Sequence, residues 1–114
     1  MMGHKPLSLD VALGRKVNLC VGTDSIPGSP SDGLFDELHY LKMRYPHLPA
    51  RVMLRWVTEN PARALRMSGK LGVLAPGACA DMIAVSFAHS SSEDILEELL
   101  QEQPAVRFVM VNGE

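Results

Sequence analysis

Val17-Asn18-Leu19-Cys20-Val21-Gly22-Thr23-Asp24-Ser25 is a short apolar run that ends abruptly in a glycine, a hydroxyl, a carboxylate and a second hydroxyl. The run reads as a buried strand and the polar tail as its C-terminal tip. In parallel α/β folds, side chains at that tip point into the crevice while packing holds the strand behind them. Position therefore makes Asp24 the leading catalytic candidate. The residues just before agree. Pro6 to Gly14 carries a capping residue in Ser8, apolar residues at helical spacing in Leu9, Ala12 and Leu13, and a stop in Gly14. A helix, a tight Gly14-Arg15-Lys16 link and a strand make the αβ half of a βα repeat. An antiparallel hairpin strand is the alternative, but it leaves Val17, Leu19 and Val21 without an obvious partner nearby.

Downstream of Asp24, the stretch from Ser25 to Gly33 is rich in Ser, Pro and Gly and must be a loop. It is either part of an active-site rim or a plain strand-to-helix connection. It lacks the spacing and the Lys-Ser/Thr pair of a phosphate-binding loop. From Leu34 to Tyr45, Leu34, Leu38 and Leu41 share one helical face, and Asp36 and Glu37 lie near the positive N-terminus. Pro46 ends this helix and Pro49 begins another, with Met53, Leu54 and Val57 as its buried stripe. Asn60 is expected to cap a third helix, with Pro61 at its first position and Gly69 as its stop.

Ala75-Pro76-Gly77 reads as a turn and the residues from Met82 to Phe87 as a largely buried strand. Ser91 to Gln101 reads as a helix, with Ser91 and Asp94 at capping-box spacing and Ile95, Leu96, Leu99 and Leu100 on its apolar face. Val106 to Val111 is a second strand that runs into the hairpin signal Asn112-Gly113. A boundary is expected near Met67 to Leu71, dividing the chain into residues 1–69 and 70–114.

Three of these stretches resemble, in order, the metal-dependent amidohydrolase superfamily. Val21-Gly22-Thr23-Asp24-Ser25 is similar to its last-strand motif, and Met53 to Leu65, with Asn60-Pro61-Ala62-Arg63-Ala64, to the helix pair that follows. Leu71 to Val85 is similar to the turn and strand that enter the family's small β domain. The chlorohydrolase and deaminase branch is the nearest in pattern. The resemblance implies an α/β fold: the C-terminal fragment of a (β/α)8 barrel, its last strand and flanking helices, plus part of the small appended β domain. It implies hydrolysis of carbon-nitrogen bonds other than peptide bonds, in a small-molecule substrate, with a divalent metal, zinc, as cofactor. Asp24 is then both metal ligand and catalytic proton acceptor, and Thr23 and Ser25 orient it or touch substrate. His4 falls where deaminase-like members carry a His-x-Pro stretch, although an ordinary terminal histidine explains it more simply. The family's other metal-binding histidines would lie upstream of Met1. The other reading of Asp24 is an N-cap or solvated loop carboxylate.

Bulk properties narrow the classes further. At 114 residues the chain can bury one modest core, whereas a complete barrel needs about 250, so a piece of a longer enzyme, inactive by itself, is expected. The Asn112-Gly113 turn with one residue after it points the same way. A net charge of -2 and a pI near 6.1 give no footprint for nucleic acid or an anionic membrane. No apolar run approaches the roughly 20 residues of a membrane span, and the N-terminus lacks a signal-peptide core. A cytoplasmic setting is expected. Cys20 and Cys79 have no paired spacing and read as buried or unremarkable thiols. None of the four histidines is spaced as a ligand pair with Asp24. Arg51, Arg55, Arg63 and Arg66 read as a solvated face. Open strand edges at Val17 to Val21 predict a homo-oligomer. The competing class is a non-catalytic binding or assembly module derived from such an enzyme.

Overall fold

Helices form where the apolar spacing places them: α1 Leu9–Gly14, α2 Leu34–Arg44, α3 Ala50–Arg55, α4 Glu59–Ala64 and α5 Ile95–Gln101, with strands β1 Met82–Ser86 and β2 Ala105–Met110. The computed structural model describes residues 8–23, 33–86, 94–102 and 104–114. Expectations for the loop after Thr23, for Phe87 and His89, and for Ser91 as a cap fall outside the described residues. The core lies where α2, α3 and α5 meet. Leu38, Ala50, Met53, Trp56 and Leu100 are buried together, and Leu19, Val21, Phe35, Leu41, Val52 and Leu96 pack around them. Burying such side chains contributes about 1.5–3 kcal/mol each, so this cluster holds the helices together.

Four local readings change. First, residues 17–23 form no strand. A strand exists only as part of a ladder, and no described residue offers one. Val17 and Cys20 are exposed and Leu19 and Val21 half-buried, so the expected buried strand is an extended segment lying on the helices. Second, Thr58, with φ -125° and ψ -87°, precedes α4, so Asn60 lies inside the first turn of the helix and its side chain is free for another task. Third, Asp94 is itself the N-cap of α5, accepting from the Leu96 and Glu97 N–H groups at 3.0 and 3.3 Å. Fourth, β1 is mostly exposed, because a two-stranded sheet has little to cover it.

That sheet is antiparallel, pairing Met82 with Met110 and Ala84 with Phe108, then stepping to Val85 with Val106. The step leaves Arg107 unpaired as a bulge, and its Nε donates to Ser86 Oγ at 2.7 Å. Asn112 and Gly113 both take left-handed backbone angles, φ 53° and 85°. Val111 and Glu114 exchange backbone hydrogen bonds across them at 2.9 and 3.1 Å, the geometry of a two-residue hairpin turn. Around Pro76, the Ala78 N–H reaches the Ala75 carbonyl at 3.1 Å with Gly77 at φ 83°, as the Pro-Gly pair dictates. The mixed α/β class stands.

Candidate functional site

Of the residues singled out for chemistry, Thr23 is described and exposed. Asp24, Ser25 and His4 lie outside the described residues. What the structure shows is how the segment leading to Asp24 is held. The helical run from Ala50 breaks after Arg55, and Trp56 becomes the cap residue of α3. Its carbonyl accepts from the Val21 N–H at 2.9 Å. One turn on, Asn60 closes a reciprocal pair: Asn18 Nδ2 donates to the Asn60 carbonyl at 2.9 Å, and Asn60 Nδ2 donates to the Leu19 carbonyl at 2.8 Å. At the other end, the Val17 N–H donates to the Ala12 carbonyl at 3.2 Å. These bonds replace the ladder that a strand would have had.

The other charged and polar residues near the core have structural tasks. His39 Nδ1 donates to the Leu100 carbonyl at 2.9 Å, tying α2 to the end of α5. His47 is exposed, its ring edge-on to Tyr45. Arg51, Arg55, Arg63 and Arg66 are exposed, and Arg55 pairs with Glu59 at 3.0 Å. That hydrogen bond, with the guanidinium charge, holds the Glu59 carboxyl below the usual range. Both Cys20, which is exposed rather than buried, and Cys79 are free thiols. Among the described residues, no three His, Cys, Asp or Glu side chains converge on a possible metal position. Since catalytic zinc takes about three protein ligands, the described part of the chain does not fit a metal by itself. Among the described residues, no helix is long and apolar enough to cross a membrane.

Sequence reasoning missed two arrangements. Asn60 was expected as a cap and is instead a clasp; only the pairing of an Asn in the strand-like run with the Asn of Asn60-Pro61 hinted at it. Lys42, buried at 5% exposure, pairs with Glu97 at 2.5 Å; its spacing of four from Leu38 was the available sign that it shares the apolar face.

Comparison with known proteins gives a consistent result. The model of the amidohydrolase family matches residues 8–114. A 5-methylthioadenosine/S-adenosylhomocysteine deaminase of Syntrophobacter fumaroxidans is 39% identical over 82 residues, covering 66% of this chain and 19% of that protein. The chain thus matches less than a quarter of that relative's length. No solved structure matches. With the match running over nearly all of its residues, the chain belongs to the amidohydrolase family.

Proposed function

We propose that this chain forms the C-terminal part of a metal-dependent hydrolase that acts on carbon-nitrogen bonds other than peptide bonds in a small molecule, with deamination as its reaction. The observation that carries this reading is the family match over residues 8–114, which runs through Asp24. A substrate among amino-substituted heterocycles of the adenosine type is supported by the deaminase relative. In this reading residues 17–21 become the last barrel strand once neighbouring strands are present. Residues 1–69 supply that strand and its helices, and residues 70–114 part of the small β domain. Asp24 is one ligand of a divalent metal, zinc, and accepts a proton at its carboxylate during hydrolysis. Thr23, Ser25 and His4 contact substrate.

The test is Asp24→Asn in the intact hydrolase, with Asp36→Asn on α2 as control. Loss of a positioned general base costs about 100-fold to 10,000-fold in rate. Turnover of 5-methylthioadenosine should fall by at least that factor in the first variant, with its melting temperature unchanged, and hold in the second. A fully active Asp24→Asn enzyme would leave the carboxylate as a loop cap.

A second reading, a non-catalytic assembly module, is favoured by one observation: Ile83, Val109 and Val111 of the sheet region are exposed, an apolar surface suited to a second copy. Metal analysis of the intact protein separates the two. Stoichiometric zinc there supports the hydrolase site, and none supports the module.

A further inference from the structure

The segment that ends in Thr23 has no ladder among the described residues, yet it is held by four hydrogen bonds. Two of the four pass through Asn60, one through its carbonyl and one through its side-chain amide. Asn60 is itself fixed. It sits in the first turn of α4, where N–H groups have no helical partner, so the missing N–H of Pro61 costs nothing there and its ring stiffens the backbone next to Asn60. The helix break at Trp56 to Thr58 turns the Trp56 carbonyl toward Val21, so that the segment is gripped at Asn18 and Leu19 by Asn60 and again at Val21. The partly buried Leu19 carbonyl loses its partner if Asn60 goes, which costs more than the net worth of one hydrogen bond.

We infer that Asn60 is the positioning residue for the segment that ends in Thr23 and leads into Asp24. It acts through Leu19 and Asn18 rather than by touching substrate, and its importance for turnover rests on the hydrolase reading above. Its removal should free the segment while leaving the core of α2, α3 and α5 intact, since the Asn60 side chain takes no part in that core. A displacement of about 1 Å at a reacting group can lower a rate by about 100-fold.

Hydrogen exchange on the 114-residue chain, read amide by amide, tests the clasp without any activity. In Asn60→Ala and in Asn60→Asp, which keeps the size but cannot donate to Leu19, the Val21 amide should exchange about tenfold faster or more. The amides of Leu38 to Lys42 and of Leu100 should keep their wild-type rates. An unchanged Val21 amide overturns the inference, as does a core that loosens by the same factor as Val21. If Asn60→Ala does not fold, Asn18→Ala decides, because it removes one bond at an exposed position: faster exchange at Val21 sustains the inference and unchanged exchange overturns it. In the intact hydrolase, Asn60→Ala should lower kcat by about 100-fold with KM nearly constant. A rise in KM at constant kcat contradicts a positioning role for the reacting group. A wild-type hydrolase without turnover defeats the functional reading alone, and the exchange result then stands by itself.

Discussion

Lys42 is buried on the apolar side of α2 with each of its donors used. Nζ donates to the Leu48 carbonyl at 2.7 Å and the Pro46 carbonyl at 3.1 Å, and pairs with Glu97 Oε2 at 2.5 Å. The other oxygen of Glu97 accepts from the Ala50 N–H at 2.6 Å. That N–H opens α3, whose N-cap is Pro49 and offers no side-chain cap, so a carboxylate from α5 caps it instead. The Lys42 hydrogen bond and then the Ala50 N–H hold the Glu97 carboxyl below its ordinary value of 4.5. A depressed folded value means a contribution to stability that is complete above 4.5, fades as pH falls below it, and is gone below the folded value. Urea unfolding at pH 7 and pH 3.5 should show this loss in the wild type and much less of it in a Lys42→Met, Glu97→Gln double variant. Glu97→Ala alone should cost about 3 kcal/mol at pH 7, because it strands a buried ammonium; a loss indistinguishable from zero would reduce the pair to a surface contact. The spacing of Lys42 from Leu38 placed it on the apolar face, but nothing in the sequence named its partner, since Glu97 lies on a different and distant helix, α5.

At the scale of elements, local chemistry was legible wherever it closed within a turn. Ser8 and Pro49 do stand just before α1 and α3, although the Ser8 side chain makes no capping bond, and both predicted turns form with the residues their backbone angles need. Boundaries moved in the third helix, which begins after Thr58 rather than Asn60 and ends at Ala64 rather than running to Gly69. A glycine pair separates backbone angle from space. Gly69 and Gly72 share left-handed angles, φ 76° and 73°, but a Cβ on Gly72 would lie 2.4 Å from the Thr58 carbonyl oxygen, whereas one on Gly69 meets nothing within 4 Å. Gly69→Ala should therefore cost about 1 kcal/mol, the price of the angle, and Gly72→Ala about 3 kcal/mol, since the start of α4 must also give way. Thermal or urea unfolding of both variants measures the gap, and equal costs would show that the Thr58 contact yields without strain.

Over the whole molecule, apolar surface remains uncovered. Leu74, Val111 and Val109 are 76%, 64% and 56% exposed, and Leu34, Phe35, Leu54, Val57, Ile83 and Val85 line an open groove between the helices and β1. Surfaces of this kind seek cover, so the purified chain should self-associate; sedimentation that stays monomeric from low to high concentration would count against this. By itself the sequence determined the helices, the two turns and the family, because spacing, caps and left-handed glycines act within a few residues. The tertiary structure alone decided that residues 17–23 lie as an extended segment clasped by Asn60, that Glu97 caps α3 beneath Lys42, and that both strands stay largely exposed. Those outcomes depend on partners 42 and 47 residues away and on which surfaces find a neighbour, and side-chain periodicity carries neither.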